Sequence, residues 1–253
     1  MKIVVRRRDA AFRIAYRIRE FFMFRPALVL AFSLIVVSFS QAQSFEYAVR
    51  HHHLRRDCRG TLKITSDGVE YKTLNPKDSR TWKFEEIRTL EVQSPTGISV
   101  VTYEDQKRWA GKDKVFEFTL LDKKATPELS AFLLSHVKRP MELAVLPEES
   151  GQLAFQMPAK HLHTVVGAMG VLKIYPDRIE FQSAKAGDSR IWRLKDIERF
   201  SQPDRYRFQI VSYVPKAGGP TEVYNFQLLD DAPEGLYDYL WLRLHPSSYY
   251  PER

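Results

Sequence analysis

The chain repeats itself at an offset of 110 residues, and that constrains its fold more than any other feature. Gly60-Thr61-Leu62-Lys63-Ile64 matches Gly170-Val171-Leu172-Lys173-Ile174, and Asp78-Ser79-Arg80-Thr81-Trp82 matches Asp188-Ser189-Arg190-Ile191-Trp192. Laid without gaps, residues 45–90 and 155–200 share 14 identities in 46 positions. Chance would give about three at ordinary residue frequencies. The match resumes at Val115–Asp122 against Val223–Asp230. A solenoid repeats every 20–50 residues or so, and this period is far longer, so each copy is a whole folding unit. The expected division is a leader at 1–42, a first copy at 43–138, a linker at 139–153, a second copy at 154–246 and a tail at 247–253.

The leader contains Ala27–Phe39, an uncharged apolar run preceded by Arg25 and followed by Ser40-Gln41-Ala42. That is the pattern of a secretory signal, with cleavage expected after Ala42. A start at Met23 would give a compact signal. The competing reading is an uncleaved anchor formed by residues 26–42, although the run is short against the roughly 20 residues of a bilayer span. Both readings put the bulk of the chain outside the cytoplasm, periplasmic or extracellular. The net charge of +8 belongs mostly to the leader, where eight Lys/Arg face two Asp/Glu, leaving 31 against 29 in the remaining 211 residues. Nucleic acid is therefore not an expected partner. A protein or an anionic surface is, and the cluster Arg55, Arg56 and Arg59 is a candidate contact for the latter. Cys58 excludes a disulfide framework within the chain and reads as a small apolar residue.

Each copy reads as short strands followed by one helix. In the first, alternation places strands near 45–54, 59–66, 68–74, 80–84, 88–94, 98–104 and 115–121. Thr126-Pro127-Glu128 opens a helix, with Thr126 as its cap, and Leu129, Phe132, Leu133 and Val137 share one face. Ala232-Pro233-Glu234 opens the second copy's helix, with Leu236, Tyr239, Leu240 and Leu244 on its apolar face. The stretch Gly-x-Leu-x-Ile, then Asp-x-[Val/Ile]-x-[Tyr/Phe], then Trp-x-[Phe/Leu]-x-x-Ile resembles strands two to four of the pleckstrin-homology-like superfold, bacterial and GRAM-type members especially. The resemblance implies an α+β, mainly β protein of two tandem domains. Each would be an open barrel of about seven antiparallel strands with one C-terminal helix. It also implies a non-enzymatic binding or structural module. The second copy lacks basic residues in the first strand-to-strand loop, so a shared phosphate-binding role is not expected.

The repeated His-x-His is the sharpest polar signal. His51 and His53 share strand parity with Phe45, Tyr47 and Val49; His161 and His163 share it with Phe155, Met157 and Ala159. Two imidazoles on one strand face can supply two ligands to zinc or copper, with Asp78 or Asp188 as the repeated third group. The plainer reading is half-buried histidines hydrogen-bonded at the rim of the core, with no cofactor. Asp-Ser-Arg before each Trp reads as turn capping, with Arg80 and Arg190 as candidate ligand contacts. A Ser79-His-Asp78 hydrolase is not expected, because adjacent Ser and Asp make a relay through one His awkward. The main expectation is thus an exported binding module. The alternatives are a metal-binding protein using the His-x-His strands and an anchored extracytoplasmic scaffold.

Overall fold

The computed structural model describes residues 43–52, 57–105, 112–164, 166–215 and 221–246. The signal and anchor expectations for residues 1–42 fall outside these, as do His53, Arg55 and Arg56. Among the described residues no helix is long and apolar enough to cross a membrane.

The first copy supplies β1 (Phe45–His51), β2 (Cys58–Thr65), β3 (Gly68–Thr73), β4 (Arg80–Trp82), β5 (Ile87–Ser94), β6 (Gly97–Asp105), β7 (Asp113–Leu120) and helix α1 (Pro127–His136). The short β8 (Met141–Leu143) follows. The second copy supplies β9 (Phe155–His161), β10 (Ala168–Ile174), β11 (Arg178–Ser183), β12 (Arg190–Arg193), β13 (Ile197–Asp204), β14 (Arg207–Pro215), β15 (Thr221–Leu228) and helix α2 (Leu236–Leu244). Thr126 caps α1 as its sequence announces, its hydroxyl accepting from the Leu129 N–H at 3.4 Å. The second helix begins later than Pro233 would place it, because Gly235 takes a left-handed φ of 77° immediately before it.

Two separate open barrels, each with its own C-terminal helix, are not what forms. The strands join into one open, mixed 15-stranded sheet, ordered β13-β14-β15-β9-β10-β11-β12-β8-β5-β6-β7-β1-β2-β3-β4. The only α-helices among the described residues are the short α1 and α2. The physical reason is β8, inside the segment that reads as linker. It pairs in parallel with β5 through Leu90↔Met141, Glu91↔Glu142 and Val92↔Leu143. On its other side it pairs antiparallel with β12 through Ile191↔Leu143. Pairing on both sides of β8 covers two edges, on β5 and β12, that would otherwise leave backbone donors and acceptors unpaired. Arg193 of β12 reinforces the seam, donating to the carbonyls of Val137 and, at 2.7 Å, Arg139.

Two apolar clusters lie on this sheet. One centres on Leu62, Ile64, Trp82, Phe118, Leu129 and Leu133 and also takes in Ile191 from the second copy. The other centres on Leu172, Ile174, Phe181, Trp192, Leu236 and Leu240. The repeated glycines are explained by close approach. A Cβ on Gly60 would lie 2.2 Å from the Lys72 carbonyl oxygen, and one on Gly170 would lie 2.4 Å from that of Gln182.

Candidate metal centre

Strand β9 alternates Met157, Ala159 and His161 toward the core, so His161 ends an apolar face and is only 6% exposed. Its ring stacks 5.0 Å from Phe226 and meets Phe181 edge-on at 5.7 Å. His163 follows beyond the strand, exposed, with its ring 4.1 Å from that of His161. The β11–β12 loop brings up Asp188, which is 7% exposed. His161 Nδ1 lies 3.3 Å from each Asp188 carboxylate oxygen, and His163 Nε2 lies 2.7 Å from Oδ1. One potential ligand atom from each residue falls within 4.8 Å of the other two. Burial is the main force on His161, pushing its pKa down against the raising pull of Asp188 and holding the ring neutral.

Asp188 is positioned by a turn that both copies build alike. Ser189 Oγ accepts from the Ser183 N–H at 3.0 Å, and Arg190 donates from Nη1 to the carbonyls of Gly187 and Ser189, each at 2.7 Å. In the first copy Ser79 Oγ accepts from Thr73 N–H at 3.1 Å, and Arg80 donates to the carbonyls of Lys77 and Ser79, again at 2.7 Å. The structure therefore directs the Arg80 and Arg190 guanidinium groups to their own loops. Arg190 reaches further, placing Nε 2.6 Å from Glu142 Oε1 of β8. Glu142 is 7% exposed, and nothing in a Pro-flanked linker marks it in sequence as a buried clamp. Arg59 is exposed on β2.

The first copy does not assemble the same trio among its described residues. Asp78 accepts from the Asn75 amide at 2.7 Å. His51 is buried like His161, but its Nδ1 lies 3.8 Å from Cys58 Sγ, which in turn lies 3.1 Å from the Tyr71 hydroxyl. The corresponding positions in the second copy are Ala168 and Phe181, paired to His161 and Leu172 respectively by the strand register. Burial pushes the Tyr71 hydroxyl pKa up, keeping it a neutral partner for the thiol. Sequence reading treats Cys58 as a plain apolar residue. The available signal was the paired exchange of Cys58 for Ala168 and Tyr71 for Phe181.

An open cleft of about 670 Å³ runs up to His163 and Asp188. Thr164 and Lys185 line it from the second copy, and Ser94 reaches it from the β5–β6 turn of the first. Gly187 takes the left-handed φ of 81° that the loop requires there.

No family model matches this chain, and no curated protein matches it. Among solved structures the chain is similar to one described as the structure of the Spt16D Pob3N heterodimer. The match has 8% identity, covers 72% of this chain and 94% of that one, and has a TM-score of 0.26. So slight a likeness bears on neither fold nor function.

Proposed function

We propose that this is an exported, non-enzymatic binding protein whose second copy holds one transition-metal ion between His161, His163 and Asp188. The observation that carries the reading is the convergence of two imidazoles and one carboxylate, with ligand atoms within 4.8 Å of one another. Metal–ligand bonds of about 2.0–2.1 Å in a tetrahedron set ligand atoms about 3.3 Å apart. The His161–Asp188 separation of 3.3 Å already has that value, and the 2.7 Å contact of His163 needs to open by about half an ångström. His163 sits at the exposed edge of the site, where such a movement is cheap. Nitrogen and oxygen donors suit Zn²⁺ or Cu²⁺, and a neutral His161 is the form that ligates. Three protein ligands leave a fourth position open, and His163 and Asp188 line the adjoining cleft.

Two further features support a binding role. The Ser79 and Ser189 hydroxyls are committed to turn backbone, which takes them out of nucleophilic chemistry. Export is supported by the leader's charged segment, apolar run and Ser-Gln-Ala site.

The test is calorimetric titration of the untagged chain with zinc. One equivalent is expected, abolished by His163→Ala or Asp188→Asn and retained in Asp78→Asn. Absence of saturable binding, or binding indifferent to His163→Ala, would overturn the reading.

A further inference from the structure

The duplication exposes a second feature, independent of the metal centre. In the first copy, β5 does not end at an open edge. β8 lies along it in parallel, and the Ala144 N–H donates to the Val92 carbonyl at 2.7 Å. The same segment then crosses α1, where Ser130 Oγ donates to the Val145 carbonyl at 2.6 Å. Leu134, Val145 and Leu146 pack against the same core. One extended segment thus covers both a strand edge and a helix face, burying Met141, Leu143 and Ala144.

The second copy has the same two elements. On β13, Phe200, Ser201 and Gln202 stand where β5 has Leu90, Glu91 and Val92. On α2, the fully buried Leu236 and Leu240 correspond to Leu129 and Leu133, so Tyr237 and Trp241 correspond to Ser130 and Leu134. Among the described residues nothing plays the part of β8 here, and β13 is the terminal strand of the sheet. Ser130 is 0% exposed in the covered copy, whereas Tyr237 is 43% and Trp241 47% exposed. The Phe200 and Tyr237 rings lie 5.1 Å apart, and Tyr237 continues to Trp241 at 6.0 Å with the planes only 15° apart. The Gln202 side-chain carbonyl is buried without a hydrogen-bond partner. Val92 turns its backbone groups toward β8, so by strand parity Phe200 and Gln202 turn theirs toward the open edge.

We infer that the β13 edge and the aromatic strip of α2 form a docking groove for an extended segment of a partner protein, apolar at alternate positions. The segment adds to β13 in parallel, as β8 adds to β5. Main-chain hydrogen bonds to the edge supply affinity, and alternate apolar side chains entering against Phe200, Tyr237 and Trp241 supply selection. The occupant's chemistry is taken from the internal cover, whose buried apolar side chains are Met141, Leu143 and Ala144.

The probe is a fluorescein-labelled peptide carrying residues 138–148 of this chain, titrated into the full chain and read by anisotropy. Its own site on the first copy is already filled, so one equivalent of saturable binding reports the second. Hydrogen exchange should then slow in residues 197–204 and 236–244. Gln202→Pro, which removes an edge N–H, and Trp241→Ala should each weaken binding at least tenfold. Trp241 is half exposed, so its loss leaves the fold intact and keeps the test decisive if Gln202→Pro does not fold. No saturable binding up to millimolar peptide, or binding unchanged in Trp241→Ala, would overturn the groove. Binding that appears only after deletion of residues 247–253 would make the chain's own end the occupant and overturn the partner.

Discussion

Asp78 and Asp188 close the same turn with the same Ser and Arg contacts, yet Asp78 accepts from Asn75 while Asp188 faces two imidazoles. Lys185 occupies the Asn75 position in the second copy, so no local amide competes for Asp188. The residue identities that persist between copies have separable causes. Gly170 persists because its Cα packs under Phe181 and the Gln182 carbonyl, where a Cβ would lie 2.7 and 2.4 Å away. Gly170→Ala should therefore cost about 1–3 kcal/mol, through backbone displacement in a packed sheet. Chemical denaturation measures this, and an unchanged midpoint would show that the strands have room to part. Much of this scale is legible in sequence. Strand parity alone places His161 on the face of Met157 and Ala159, where it is buried. The hydrogen bond between Cys58 and Tyr71 is legible only as a paired exchange between the copies, because each residue alone reads as ordinary core.

The element that decides the architecture is β8. Its three residues carry too short a pattern to read as a strand, and Glu142 in its middle argues for solvent. Pairing on both edges buries it all the same, and the cost falls on its carboxylates. Burial pushes Glu142 up, with Arg190 as the opposing influence. Glu91, across the ladder on β5, is raised by burial to about 7, with Glu142 and Glu222 adding to the rise and Gln93 and Arg190 opposing it. The folded protein therefore keeps a proton on Glu91 that the unfolded chain releases near the ordinary value of 4.5. Stability should fall as pH rises between about 4.5 and about 7, and then level off for this group. The slope has an upper limit of about 1.4 kcal/mol per pH unit. Glu91→Gln should reduce the slope in that window, Glu142 supplying the remainder. Thermal melts of both proteins across the window check this, and parallel curves would contradict it.

At the scale of the whole molecule, one sheet runs through both copies. The duplication, the order of strands within each copy and the two Trp-centred cores follow from sequence alone. The union of the halves does not, because it rests on contacts between segments far apart in the chain: Ile191 with Leu143, Arg190 with Glu142, and Arg193 with Val137 and Arg139. The shared edge predicts that residues 42–253, which form one compact unit, unfold in a single cooperative transition. Two resolved calorimetric transitions, one per copy, would show that β8 docks the halves without coupling them. The union also shapes the cleft beside His163 and Asp188, which Ser94 of the first copy helps to line.

The measurement that tests the central claim most directly is X-ray absorption at the zinc edge, on the chain loaded with one equivalent. Two imidazole nitrogens and a carboxylate oxygen are expected at about 2.0–2.1 Å, with the imidazole signal reduced in His163→Ala. A sulfur shell at about 2.3 Å would move the ion to Cys58 and contradict the assignment, and a shell without imidazole would remove the His-x-His strand from the site altogether.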